Sequence, residues 1–311
     1  VSLISVIIPN YNHGQFLDRR IESILNQTFT DFEIIILDDA STDNSRHIIE
    51  KYRSDARVKL IVYNERNSGS PFLQWQKGIE LATTDWIWIA ESDDYCLPTF
   101  LEQLYPVYNL PGCVIAFNEA IWVNESDFEI KKPYYYQSFY TTGSTFIRQY
   151  MLAENRLVNA GQVIFRRSAA KNLLPDWLGY KQAGDYRFFC EVLAQGSVYA
   201  SGSPQAYFVR HQQTVSSKHL DTDSTKDEIT AVWNWMVSCN IVKRDDFRPA
   251  FRSKHVALDR LKNKIPSINY NKELVWLIMA GKQLQINISP LEIKAARLWQ
   301  SLQYRYKHMV K

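Results

Sequence analysis

Four short, almost wholly apolar runs punctuate the first ninety residues, and three of them end in a polar or acidic group. SVIIP (5–9) precedes Asn10-Tyr11-Asn12, EIIIL (33–37) precedes Asp38-Asp39, VKLIVY (58–63) follows, and DWIWIA (85–90) precedes Glu91-Ser92-Asp93-Asp94. Continuous apolar runs of this length are what strands buried on both faces look like. Between them the spacing turns helical: Phe16, Leu17, Ile21, Ile24 and Leu25 share one face, Asp43 is placed to cap a helix reaching Ser54, and another helix is predicted over Pro71–Ala82. A helix from about Pro98 to Tyr108 and a strand CVIAF (113–117) come next. Strands alternating with helices of 10–15 residues imply βαβ units, hence an α/β fold with a mostly parallel central sheet. Such sheets bind ligands beyond the carboxyl ends of their strands. The groups 10–12, 38–43 and 91–94 therefore converge on one edge, which becomes the candidate site.

The rest of the chain is less regular. Pro133–Tyr140 (PYYYQSFY) reads as a loop or edge segment, GQVIFRR (161–167) as a strand, GDYRFFCEVLAQG (184–196) as a helix ended by Gly196, and 198–211 as one or two strands. From about Thr225 the pattern is helical and amphipathic, broken at Pro249, Pro266 and Pro290. The organisation expected is a catalytic domain over 1–220, with a nucleotide-binding half (1–110) and an acceptor half (111–220), followed by a basic helical region over 221–311. Charge supports the last division: residues 241–311 carry fifteen Lys/Arg against five Asp/Glu, in a chain whose net charge is only +3. A basic tail on an acidic body suits an anionic membrane surface or a phosphate-bearing substrate, and equally a solvated helical face.

Cys96, Cys113, Cys190 and Cys239 form no CxxC pair and no zinc-like spacing, which fits a reducing compartment. Residues 3–8 are too short for a signal peptide and no run reaches the roughly 18 apolar residues of a membrane span, so a cytoplasmic location is expected, peripheral to the inner face of the membrane if the tail docks there. No P-loop, dinucleotide glycine fingerprint or GxSxG elbow is present, and an acidic sheet edge argues against nucleic acid as a partner.

Carboxylates at the end of a buried strand cost desolvation energy unless they bind a cation or accept hydrogen bonds. One or two of them with phosphate oxygens make the usual seat for Mg²⁺ or Mn²⁺ in nucleotide enzymes. Aspartates before Leu97-Pro98-Thr99 also serve as helix caps, so the acidic group alone leaves both roles open. The carboxylates after the second run can accept the N3–H of uracil or thymine, and Tyr11 can stack on a base. Asp43 reads as a cap rather than a ligand.

The set SVIIPNYN (5–12), DDASTDNS (38–45), NSG (67–69) and ESDD (91–94), in this order and spacing, resembles family 2 glycosyltransferases with the GT-A fold, of the bacterial polysaccharide or O-antigen type. The resemblance covers roughly residues 3–220. It implies a GT-A domain with a C-terminal helical extension, and an inverting transfer of one sugar from a nucleotide diphosphate donor, UDP or dTDP favoured. It also implies a divalent metal (Mn²⁺ or Mg²⁺) and, as acceptor, a glycan or lipid-linked sugar in cell-surface polysaccharide synthesis. Carried onto matching positions, Pro9, Tyr11 and Asp39 are base-binding residues, Glu91 is the ribose-side residue of the DxD motif, and Asp93 is the metal ligand with Asp94 in support. Asp185 matches the general base, whose proton removal inverting transfer requires. Within FVRHQQTVSS (208–217), His211 matches a metal ligand or diphosphate donor and Arg210 a diphosphate donor. The QxxRW pattern of processive polymerases is absent, which favours addition of a single sugar.

Three departures from the family pattern stand out. Glu91 replaces the first DxD aspartate, Gln74-Trp75-Gln76 stands where Ala-Arg-Asn is common before Gly78, and Gly184 replaces the acid that often precedes the catalytic aspartate. They motivate one alternative, a catalytically inactive nucleotide-sugar-binding module, against which intact Asp93 and Asp185 argue. A sugar nucleotidyltransferase is a second alternative, although residues 1–25 hold only Gly14 where such enzymes are glycine-rich.

Overall fold

The structure is a computed structural model that describes residues 3–126, 129–131, 137–153, 155–173, 175–211, 223–262, 264 and 266–297. The chain divides into two compact units, one formed by 1–143 and 157–220, the other by 144–156 and 221–311. Segment 144–156 thus groups with the C-terminal residues, although its sequence lies inside the expected acceptor half.

The first unit opens with β1 (Ile4–Asn10), α1 (Gly14–Leu25), β2 (Phe32–Asp38), α2 (Ser45–Lys51), β3 (Val58–Tyr63), α3 (Pro71–Leu81) and β4 (Trp86–Ile89). Then come β5 (Tyr95–Cys96), α4 (Phe100–Leu104), β6 (Cys113–Asn124), β7 (Glu129–Lys131) and β8 (Phe139–Thr142). After α5 (Gly143–Phe146), it ends with β9 (Val163–Arg166), α6 (Arg167–Lys171), α7 (Gly184–Leu193) and β10 (Ser197–Arg210). Strand order is β3-β2-β1-β4-β9-β6-β10-β5, with β7 on β6 and β8 on β10. β1 pairs in parallel with β2 and β4, β2 with β3, and β6 with β10. The mostly parallel α/β sheet anticipated from the apolar runs is therefore present as a mixed sheet: β9 enters antiparallel between β4 and β6, and β5, β7 and β8 add antiparallel pairings on β10 and β6.

All seven residues of β1 and of β2 are buried. Alternation assigns their two faces to different helices. Ile4, Val6 and Ile8 join Leu17, Ile21 and Ile24 of α1 and Phe100 of α4 in one core cluster, where the Trp88 ring stacks on Phe100 at 4.3 Å. On the opposite face α3 lies so close that a Cβ on Gly78 would stand 2.4 Å from Ile7 Cγ2, so residue 78 must be glycine. Arg20 also sits on the inner face of α1, fully buried, its guanidinium 4.9 Å from the Trp88 ring centre.

Element ends shift in instructive ways. α2 starts at Ser45 because Asp43 is spent as a bracket: its Oδ1 accepts from Ser45 N (2.9 Å) and its Oδ2 from Gly14 N (2.8 Å), so one carboxylate serves two helix starts. These bonds outweigh burial and hold the Asp43 pKa below its ordinary value. The segment expected as one or two strands after 197 is the single long β10.

The second unit contains α8 (Asp223–Ser238), α9 (Arg248–Leu261) and α10 (Ser267–Gln283), with helical backbone again at 290–297. Pro249, Pro266 and Pro290 each stand at a helix start, where the missing N–H costs nothing. Trp233 packs against Phe247, Phe251 and Trp276. Trp276, whose indole N–H reaches Thr230 Oγ1 (3.2 Å), is tied into this core rather than presented as an interfacial anchor. Trp299, Pro133–Tyr136, Gln212–Ser217 and Asp221 lie outside the described residues. No helix among the described residues is long and apolar enough to cross a membrane.

Candidate active site

The order β3-β2-β1-β4 places the carboxyl ends of β1, β2 and β4 side by side, at the point where strand order reverses. A cleft of about 1020 Å³ opens there. Pro9, Tyr11, Asp39, Glu91, Asp93, Asp94 and Asp185 all line it, so seven of the nine residues singled out in the sequence meet in one cavity. His211 reaches it through Asp93. Arg210 is not among the lining residues; its guanidinium lies 5.6 Å from the ring centres of Trp122 and Phe208. Val209 and His211 are buried on either side of it, while Arg210 lies against those two rings.

The side of the cleft formed after β1 and β2 is built from two strained turns. Asn12 (φ 55°) and Ala40 (φ 60°) are both left-handed, a conformation that concentrates at functional sites. They brace each other's loops: Asn12 N donates to Ser41 Oγ (2.9 Å) and Thr42 N donates to Asn12 Oδ1 (2.7 Å). Tyr11 is left 46% exposed, an open ring at the cleft mouth. Asp39 is 4% exposed, and its two oxygens accept from Asn64 Nδ2, Asn67 Nδ2, Ser68 N, Ser68 Oγ and Gln74 Nε2 at 2.6–3.1 Å. A carboxylate has about four lone-pair sites, so Asp39 is engaged throughout by the 64–74 segment. Its direct product is the shape of the Asn67–Ser70 wall of the cleft.

The side formed after β4 is different. Asp93 Oδ2 lies 3.0 Å from His211 Nε2. Burial alone would push Asp93 up, but the bond from His211 and the neighbouring imidazoles outweigh it and hold its pKa below the ordinary value. Glu91 accepts from Trp75 Nε1 (2.8 Å), yet burial, reinforced by the charge of Asp93, pushes its pKa up to about 8. Asp94, 4% exposed, is raised for the same two reasons. It accepts from Asn159 Nδ2 (2.5 Å) and Val209 N (2.9 Å), and so pins the strand that delivers His211.

One residue that the sequence reading passed over belongs to this group. His13, Asp93 and His211 each offer a ligand atom, all within 4.8 Å of one another. Imidazole nitrogens beside an ionised carboxylate in a dry pocket fit a divalent transition-metal ion. The signal for His13 was weak, because its neighbours Ser92, Asp93 and His211 come from distant parts of the chain, Ser92 alone being 79 positions further along.

Asp185 stands in the first turn of α7, and its Oδ1 accepts from Tyr186 N (2.6 Å). The preceding residue is glycine for a packing reason: a Cβ at 184 would meet Phe72 Cε2 at 2.4 Å. The altered segment 74–77 also has a structural use. Gln74 serves Asp39, Trp75 serves Glu91, and Lys77 Nζ reaches Asn64 Oδ1 (2.5 Å).

Comparison with known proteins agrees with this geometry. The chain is 26% identical over 291 residues to the poly(ribitol-phosphate) β-N-acetylglucosaminyltransferase TarP of Staphylococcus aureus, covering 88% of this chain and 86% of that protein. It is 33% identical over 169 residues to the glycosyltransferase GlyG of Streptococcus pneumoniae, about half the length of each. The crystal structure of S. aureus TarS 1–349 in complex with UDP-GlcNAc superposes with a TM-score of 0.69 at 18% identity, covering 98% of this chain and 92% of that one, and so shares its fold. The profile of glycosyl transferase family 2 matches residues 5–174, more than half of the chain. The chain therefore belongs to glycosyl transferase family 2, as a glycosyltransferase of the GT-A fold.

Proposed function

We propose that this enzyme transfers a single sugar, with inversion, from a UDP- or dTDP-sugar to a hydroxyl of a cell-surface glycan or lipid-linked sugar. The observation that carries the reading is the convergence of an exposed stacking ring (Tyr11), a histidine–aspartate pair (His211–Asp93) and a separate carboxylate (Asp185) on one cleft. UDP is favoured because TarS was crystallised with UDP-GlcNAc, and the β-linkage in TarP's name suits inversion of an α-linked donor.

In this reading the base stacks on Tyr11 against Pro9 and the wall that Asp39 holds. Glu91 faces the ribose. Asp93 and His211 hold Mn²⁺ or Mg²⁺, which when bound neutralises charge building on the departing diphosphate. Asp185 takes the proton of the acceptor hydroxyl as its oxygen bonds to the anomeric carbon. The bond from that carbon to the diphosphate oxygen breaks, and the electron pair leaves with the nucleotide. General-base catalysis contributes about 10²–10⁴-fold, so Asp185→Asn should lose about that much in kcat with UDP affinity nearly unchanged. Near-normal turnover with the true acceptor would place the base elsewhere.

The second unit carries a surface of its own. Val275, Ile278 and Met279 are exposed on one face of α10, flanked by exposed Lys272 and Lys282. An apolar face ringed by lysines suits the anionic inner membrane surface, where a lipid-linked acceptor resides. Flotation with anionic liposomes checks this; a chain that stays in the pellet at low salt rules it out.

A further inference from the structure

We propose that His13 is a third protein ligand of the metal, making a centre of two imidazoles and one carboxylate that selects Mn²⁺ and its later transition-metal neighbours over Mg²⁺. The proposal rests on the reading of Asp93 and His211 as metal ligands and adds a residue from the opposite side of the cleft.

His13 is held in place from three directions. It directly follows left-handed Asn12, which the β2 loop grips through Ser41 and Thr42. It directly precedes Gly14, where a Cβ would stand 2.0 Å from Asn44 Oδ1 and whose N–H donates to Asp43 Oδ2 (2.8 Å), so the α2 start packs closely on this point of the chain. Its Nδ1 lies 2.9 Å from Oγ of Ser92, a residue 1% exposed in the middle of the acidic turn. A histidine that ligates a metal almost always gives its other ring nitrogen to such an oxygen, which fixes the tautomer and aims the ring. With Nδ1 directed to Ser92, Nε2 is the ligating nitrogen.

The two imidazoles meet edge to face, with centres 5.7 Å apart at 84°, and Phe16 lies 4.6 Å from the His211 ring. Mg²⁺ prefers carboxylate, carbonyl and water oxygens, whereas two of these three donors are imidazole nitrogens. Nitrogen donors shift preference along the series from Mn²⁺ toward the later metals. The same arrangement ties the metal to the base site, because His13 is two residues from Tyr11 on the same braced turn. Binding of the cation therefore fixes the loop that receives the nucleotide.

The test is direct Mn²⁺ binding by the full chain with UDP present, followed by electron paramagnetic resonance. Wild type should show nitrogen couplings from two imidazoles. His13→Asn should show one, with Mn²⁺ affinity lower by at least about tenfold and Mg²⁺ affinity changed less than about twofold, collapsing the Mn²⁺/Mg²⁺ ratio. Ser92→Ala keeps the ligand but loses its orientation, and should weaken Mn²⁺ by about tenfold. UDP binding without metal and a thermal melt confirm that each variant is folded. Two imidazole couplings and unchanged Mn²⁺ affinity in folded His13→Asn overturn the proposal. Mn²⁺ binding that ignores Asp93→Asn overturns instead the metal reading beneath it.

Discussion

Two acidic turns end the strands on either side of β1, and they are opposites. Asp39, after β2, accepts five hydrogen bonds from residues 64–74 and is fully used by the protein. Glu91, Asp93 and Asp94, after β4, crowd three carboxylates into one buried turn. Two of them are pushed up in pKa, and the third is held down chiefly by histidines. Carboxylates that are satisfied internally build structure, whereas carboxylates left in mutual repulsion are completed by something from outside. In sequence the turns look alike; what separates them is the number of donors that folding brings to each.

If that contrast is right, the two turns should fail in opposite ways. The largest effect is on chemistry. Asp93→Asn removes a metal ligand, and since the ion supplies several kcal/mol of charge stabilisation, transfer should fall by about 10³-fold or more while EDTA ceases to matter. The melting temperature of the metal-free protein should fall only slightly, because asparagine keeps a polar partner for His211. Full activity of wild type in EDTA would break the contrast at its root.

The second effect is on stability. Asp39→Ala leaves buried donors unpaired, at about 1–3 kcal/mol for such a loss, so the first unit should melt several degrees lower. UDP affinity, read by calorimetry, should drop about ten- to a hundredfold, because the wall beside Tyr11 loosens. A normal melt and normal UDP binding would mean that the Asp39 network is incidental.

The smallest effect sharpens the comparison through pH. Glu91 sits at about 8 in the folded protein against an ordinary 4.5. Between those values the native state holds more protons than the unfolded one, so metal-free stability is greatest below about pH 4.5 on this account and falls as pH rises through 8. The amplitude should be on the order of 1–2 kcal/mol after relaxation of the site. Glu91→Gln should flatten the slope, and Mn²⁺ with UDP should reverse it by favouring the ionised turn. A metal-free stability that rises from pH 6 to 8 contradicts this picture.

The sheet was legible because its central strands are buried on both faces: inside ISVIIP and FEIIIL the polar residues are Ser5 and Glu33, which bond each other at 2.7 Å. The antiparallel entry of β9 was not, since VIFR has the same composition whichever way it points. Asp93 and Asp185 were readable from motif and spacing. His13 was hidden because a ligand is defined by what it meets, and Ser92 and His211 arrive from distant turns. Arg20 was hidden for a related reason: helical spacing put it on the inner face of α1, yet an arginine there reads as surface until the Trp88 ring and the charge of Asp94 are found beneath it.

Helix α3 lies flush on β1 through Gly78, and two consecutive residues of it, Gln74 and Trp75, each hold one of the acidic turns. For anyone re-engineering donor choice, this makes α3 a shared crossbar rather than a swappable part. Grafting a relative's Ala-Arg-Asn onto 74–76 would put a full cation beside Glu91, release Asp39 from Gln74, and change two subsites in one edit. A working graft has to be designed as a set that includes residues 39, 74, 75 and 91.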